Sequence, residues 1–328
     1  MGETIKTETT EEKDLSLAKY DLTKEEYEKC LKTAELAIFM NEKVGVKHPT
    51  STFVVAQPGA GKTGLRAYVG GEGVEFNPDE IAMYHKHYYK IIEEFPKDSY
   101  QILQRFVRPA LDTYLRSKAV QLRTNIMQEG TLAATEGYIQ ILDFQKNGGT
   151  ANIGNVNEQG RREPIEVLGG YYIDINALAV HRYESLLSSY EREQSFIEEG
   201  LPPRAVTAEN HDRAYKNMIE TIRILENKKL YDRIRVFKRG KIETEPELVF
   251  TTGDDKYPNA VEAVLEEREK NKRKILENPQ KYIERITNLE QRVMKNSNVS
   301  NARIQLEKIR ILKEEFEREI EEKDKSKD

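Results

Sequence analysis

Two rhythms of apolar residues alternate along the chain. Tyr27, Cys30, Leu31, Ala34, Ala37 and Ile38 recur at helical spacing, which predicts an amphipathic helix opening after Asp21. Thr23 followed by Glu26 makes a capping box at its start, and Pro49 ends any continuation. Thr52-Phe-Val-Val-Ala56 is a short unbroken run of β-formers and reads as a buried strand. Val74-Glu-Phe76 predicts a second short strand, Ser99 to Thr124 a long helix, Asn125-Ile-Met-Gln128 a weak third strand, and Ala134 to Lys146 another helix. Tyr171-Tyr-Ile-Asp-Ile175 is a strand leading into a helix that carries His181 to Glu184. A helix from about Ala208 to Asn227 and late strands at Ile234–Phe237 and Leu248–Phe250 follow. This strand–helix alternation implies right-handed βαβ units and an α/β fold, a mainly parallel sheet flanked by helices. Residues 148–169 are rich in Gly, Asn and Glu without a clear period, and read as an insertion or long loop.

After Pro258 the rhythm changes. Tyr282, Ile286, Leu289 and Val293 are spaced 4-3-4, and Ile309, Leu312, Phe316 and Ile320 form a similar stripe among many Glu, Lys and Arg. Two or three amphipathic helices are expected, with an antiparallel hairpin as one arrangement of them. Packing on the main domain is the preferred reading, and a partner-binding appendage the other. Residues 1–18 are polar and bury too little apolar surface to offset the entropy of ordering, so disorder is expected there. The domain reading is a disordered segment 1–18, an α/β domain 19–257 and a charged helical extension 258–328.

Composition narrows the function classes. With 328 residues and 38% apolar positions the chain can form one large domain or two modest ones. Lys and Arg number 52 against 57 Asp and Glu, a net charge of -5, which argues against a globally basic nucleic-acid binder. Cys30 is the one cysteine, so no intrachain disulfide exists and a reducing compartment fits. No apolar signal-peptide core follows Met1, and no run approaches the roughly 18–20 apolar residues of a membrane span. A soluble, cytoplasmic protein with no membrane partner is expected.

The strongest chemical signal is Ala56-Gln-Pro-Gly-Ala-Gly-Lys-Thr63, between a predicted strand and a predicted helix. The phosphate-loop pattern is G-x-x-x-x-G-K-S/T in that context. Gly59, Ala60 and Gly61 let successive backbone N–H groups face phosphate oxygens, and the helix opening through Gly64 adds its positive end. Lys62 would reach the β- and γ-phosphates, and the Thr63 hydroxyl would ligate magnesium. Ala56 stands where the pattern has its first glycine, which it can do only with φ below zero.

A phosphate loop alone says nucleotide, not reaction. Transfer needs a residue that takes the acceptor's proton and positive charge on the moving phosphoryl group. Asp79 follows the second strand, towards the end of a parallel sheet where the loop also lies. It could act as that base or cap the helix that follows. Arg182, after the fourth strand, and Arg204, after the hinge-like Gly200-Leu-Pro-Pro203, are candidates for charge neutralisation. No HExxH or Cys/His zinc spacing appears.

Together these motifs resemble the zeta toxin family. Phe53 to Thr63 resembles its phosphate loop, Asn77-Pro-Asp79 with His85 its segment after the second strand, and Glu129-Gly-Thr-Leu132 its third-strand end. Arg182-Tyr-Glu184 resembles its first arginine motif, and Arg204 with His211-Asp212 its second. The resemblance covers about residues 20–240 in family order. It implies a P-loop kinase that uses ATP and magnesium to phosphorylate a sugar hydroxyl of UDP-N-acetylglucosamine, and a cognate antitoxin as partner. By it, Asp79 would be the base, Lys62 and Thr63 would serve ATP and magnesium, and Arg182 and Arg204 would stabilise the phosphoryl group. Glu129, with Thr131 and His85, would hold the acceptor. The chain departs from the family at Ala56, at Ala133 where a basic residue is usual, at Val206-Thr207 in place of Thr-Pro, and at Ile81–Met83. Two other readings stand beside it: a P-loop kinase for another hydroxyl, such as a polynucleotide end or an antibiotic, and a non-catalytic nucleotide-gated interaction protein.

Overall fold

The structure is a computed structural model that describes residues 18–95, 98–201, 205–240, 245–296 and 299–325. It divides into two units. One comprises residues up to 49, 72–127 and 147–170, the other residues 50–71, 128–146 and 171 onward. The N-terminal segment expected to be disordered lies outside the described residues but for Ala18. So do Pro202, Pro203 and Arg204.

The larger unit is built on the strand order β3-β1-β6-β7-β8, with β1 (Thr50–Val55), the last three residues of β3 (Ile126–Gly130), β6 (Tyr172–Ala179), β7 (Arg233–Lys238) and β8 (Glu247–Thr251). β1 and β6 run parallel with Phe53 opposite Ile175, and β6 and β7 run parallel with Ala177 opposite Val236. Five of the six β1 residues are buried, as a strand covered on both faces requires. The last strand, β8, is antiparallel to β7, so the sheet is mixed but mainly parallel.

Helices connect these strands. α2 (Lys62–Val69) follows β1, α7 (Thr135–Asn147) follows β3, and α8 (Arg182–Glu198) follows β6. α9 (Ala208–Lys228) precedes β7, and Thr207 caps it by accepting from Asn210 N. The C-terminal residues form three helices, α10 (Ala260–Glu277), α11 (Pro279–Asn296) and α12 (Val299–Lys325). The stripe Tyr282, Ile286, Leu289, Val293 meets Ile309, Leu312 and Phe316, and both close on Tyr183, Leu186, Leu187 and Tyr190 of α8. The tail is thus packed on the helix that opens with Arg182.

In the smaller unit, α1 (Lys24–Phe39) carries the capping box of Thr23 and Glu26. β2 (Val74–Glu75) pairs in parallel with the first residues of β3. Short helices α3 (Pro78–Ala82) and α4 (Tyr88–Glu94) precede the long helical stretch, in which a π-helical segment, Ala110–Leu115, separates α5 (Ser99–Pro109) from α6 (Arg116–Leu122). Proline lacks an N–H to donate to the preceding turn, and the wider turn accommodates that loss. Residues 148–169 are not a loop. They form an antiparallel hairpin, β4 (Gly148–Val156) and β5 (Arg162–Leu168). Only Ala151, Ile153 and Val167 are buried in it, so Gly and Asn mask the period of two. Among the described residues no helix is long and apolar enough to cross a membrane.

Candidate active site

The parallel strands β1, β6 and β7 end side by side, and each delivers one part of a site. β1 ends in the phosphate loop, β6 in His181 and Arg182, β7 in Arg239. This is where an open α/β sheet binds its ligands.

Ala56 does not have a positive φ, while Gly59 and Gly61 do, at 73° and 100°. The missing first glycine therefore leaves no strain at Ala56. Gly61 is the N-cap of α2, and its conformation turns the chain into the helix at Lys62. Lys62 folds back over the loop, with Nζ donating to the carbonyls of Ala56 (2.8 Å) and Gln57 (3.2 Å). Burial pulls its pKa down to about 8, with Glu129 opposing the shift and Arg192 adding to it. Thr63 is exposed in the first turn of α2. A magnesium ion there would take most of its ligands from phosphate oxygens and water.

Gln57 is fully buried and anchors the loop from beneath. Its Nε2 donates to Val180 O (2.8 Å) and to Ser185 Oγ (3.1 Å). Ser185 Oγ lies 2.9 Å from His211 Nε2, and His211 Nδ1 lies 3.2 Å from Asp212 Oδ1. Burial holds the His211 pKa down at about 4 despite Asp212, so the ring is neutral at pH 7. A neutral ring that donates from Nδ1 to the carboxylate accepts at Nε2 from the serine hydroxyl. The chain of bonds ends on Arg182, whose Nε donates to the same Asp212 Oδ1 (2.7 Å) and whose Nη1 donates to Glu315 of α12 (2.6 Å). Phosphate loop and arginine are thereby held in one hydrogen-bonded frame.

His181 caps α8 by accepting from Tyr183 N at Nδ1. Glu184, one turn on, binds Arg239 (3.2 Å) and both carboxylate oxygens face Arg285 of α11 (2.9 Å each). Glu129 lies near the end of β3, and Thr131 follows that strand. Glu129 lies 3.9 Å from Arg66 Nε of α2, and Thr131 Oγ1 accepts from Ala133 N. Between them and Ala133, Leu132 is fully buried with φ of 53°, a conformation a leucine keeps only where packing dictates it. Its carbonyl accepts from Thr221 Oγ1 (2.9 Å).

Asp79 and His85 belong to the smaller unit. Asn77 caps α3, accepting from Asp79 N at 3.0 Å, so Asp79 is not the cap and stands exposed in the first turn. His85 is buried, with its ring edge-on to Phe106 and its Nδ1 accepting from His87 N. Burial lowers its pKa to about 4. Arg204 lies outside the described residues. Sequence reasoning missed Gln57, Ser185, Arg239 and Arg268. Each is a common residue type, and only its place beside the loop distinguishes it.

The family model described as Zeta toxin matches residues 37–160 and 155–244. Toxin PezT of Streptococcus pneumoniae serotype 4 is 25% identical over 226 residues, 67% of this chain and 80% of that protein. Toxin zeta of Streptococcus agalactiae is 23% identical over 231 residues, 68% of this chain and 71% of that protein. A solved structure from the PezAT chromosomal toxin–antitoxin system of Streptococcus pneumoniae superposes with a TM-score of 0.60 at 20% identity, covering 82% of this chain and 98% of that one.

Proposed function

The chain belongs to the zeta toxin family, a family of kinase-like toxins, and we propose that it transfers the γ-phosphoryl group of ATP to a sugar hydroxyl of UDP-N-acetylglucosamine or a related UDP-sugar. The observation that carries the reading is the arrangement at the parallel strand ends. Lys62 caps the phosphate loop there, and Arg182, held by two carboxylates, opens α8 after the neighbouring strand β6. Two cations on one sheet edge suit the charge that develops on a phosphoryl group in transfer.

In this reading the loop amides of Gly59 to Gly64 and Lys62 hold the phosphates, and Thr63 supplies one ligand to magnesium. Asp79 takes the proton of the acceptor hydroxyl as its oxygen bonds to the γ-phosphorus and ADP leaves. Arg182 and Arg204 neutralise the equatorial oxygens. Glu129 and Thr131 hold the UDP-sugar, and His85 supports the acceptor side from within its own unit. Residues 19–257 are the kinase domain, and 258–328 its helical extension. The setting is the cytoplasm, where ATP and UDP-sugars occur, and a cognate antitoxin is the partner that restrains the enzyme.

The test is the product. Incubation of the purified chain with ATP, magnesium and UDP-N-acetylglucosamine should give a sugar nucleotide heavier by one phosphate. An unchanged sugar nucleotide beside a phosphorylated polynucleotide or aminoglycoside would move the acceptor assignment elsewhere.

A further inference from the structure

Arg268 lies on α10, beyond the residues that match the family. It is 3% exposed. Its Nη2 donates to Gln57 Oε1 (3.1 Å) and its Nη1 to Tyr215 O (2.9 Å), and the guanidinium sits 3.7 Å from the centre of the Tyr215 ring. Its Nε has no hydrogen-bond partner. Among the described residues no carboxylate pairs with it, and the partners it has are neutral. The other arginines of this region differ. Arg182 has Asp212 and Glu315, and Arg239 and Arg285 share Glu184.

A buried charge without a counter-charge is among the costliest groups a fold can hold, unless something else supplies the opposite charge. Burial lowers the Arg268 pKa only to about 10, so the cation persists at neutral pH. Its immediate neighbour is the phosphate loop. Gln57 takes Arg268 on its side-chain oxygen and Lys62 on its backbone carbonyl. In surroundings this dry, a charge acts over several ångströms with little screening. The planar fork suits the place as a lysine would not, since it reaches Gln57 and Tyr215 O at once while stacking on the ring.

We propose that Arg268 is a positioning and charge-compensating residue of the nucleotide site, which holds the phosphate loop through Gln57 and has its own charge balanced by the nucleotide's polyphosphate. The proposal rests on the nucleotide-kinase reading. It makes α10 part of the site, and it couples nucleotide binding to the docking of the C-terminal helices.

The experiment compares Arg268→Gln, Arg268→Lys and the unaltered full chain for binding of Mg·ATP, ADP and adenosine, together with thermal unfolding without nucleotide. The glutamine variant should bind Mg·ATP about tenfold or more weakly, ADP with a smaller loss, and adenosine unchanged. Its unfolding temperature without nucleotide should not fall. The lysine variant should recover part of the ATP affinity. A role in packing alone predicts a lower unfolding temperature with equal ratios for all three ligands, and that result overturns the proposal. Gln57→Glu provides an independent arm: a carboxylate against Arg268 should weaken ATP relative to adenosine, and an ATP-to-adenosine affinity ratio equal to that of the unaltered chain would contradict the proposal. Failure of the unaltered chain to bind ATP would sink the kinase reading as well. Normal ATP binding with an unimpaired glutamine variant would sink this inference alone.

Discussion

A Cβ placed on Gly59 would stand 1.9 Å from the carbonyl oxygen of Ser185 and 2.4 Å from Ser189 Oγ. The phosphate loop is thus pressed against the helix that begins at Arg182, and its shape depends on that contact. Gly59→Ala must displace the loop from α8 and also hold alanine at a φ of 73°, which by itself costs about 1–2 kcal/mol. We expect the variant to lose measurable ATP binding by calorimetry and to unfold at a lower temperature. Ala60→Gly, which adds no atom, should do much less to either.

Lys62 gives the site a pH dependence. Its ammonium has a pKa near 8 because burial disfavours the charged form, and phosphate contact requires the charge. Affinity for ATP should therefore fall as pH rises through 8. Binding between pH 8 and 9 should take up protons, because the bound phosphates draw the pKa back up. Calorimetry in two buffers of different ionisation enthalpy measures that uptake. Lys62→Arg, charged throughout this range, should show none.

His181 predicts a second dependence, this time on stability. Burial lowers its pKa to about 4, with Lys272, Arg268 and Arg182 adding to the shift and Glu319 opposing it. The unfolded chain takes up a proton near pH 6.5, the folded chain only near 4. The stabilising contribution is complete above pH 6.5 and is lost as pH falls from there towards 4. His181→Asn keeps a good N-cap acceptor and removes the titration. Its urea midpoint should decline less than that of the unaltered chain between pH 7 and pH 5, and equal declines would count against the assignment.

The C-terminal helices should be structurally indispensable to the unit they join. Phe316 is fully buried, 4.3 Å from the Tyr282 ring and 5.3 Å from the Tyr183 ring. Phe316→Ala should cost about 3–5 kcal/mol in denaturant unfolding. Ile311→Ala, at an exposed position of the same helix, should cost under about 1 kcal/mol. A Phe316→Ala loss as small as that of Ile311→Ala would mean that α12 does not dock as described.

What the sequence made legible was what it encodes locally. The loop at 56–63 needs its strand, its glycines and its helix in one short run. The capping box at Thr23 needs four residues, and the stripes at Tyr282 and Ile309 need a few turns. The hairpin at 148–168 was not legible, because its strands bury only three apolar side chains and their glycines and asparagines imitate a loop. Asp79 lay two residues from the true cap, Asn77, beyond the resolution of a capping pattern. Arg268 was invisible as one of 52 basic residues. It becomes informative only when its burial and its neutral partners are known, and those partners, Tyr215 and Gln57, lie 53 and 211 positions away in the chain.

The most direct test of the central claim is ADP release by the unaltered chain, Lys62→Ala and Asp79→Asn, each with and without UDP-N-acetylglucosamine. The account predicts sugar-dependent release by the unaltered chain, loss of release in both variants, and retained ATP binding in Asp79→Asn. Asp79→Asn at full rate would remove the proposed base. An unaltered chain that binds ATP yet releases no ADP with any UDP-sugar would contradict the kinase assignment for this acceptor.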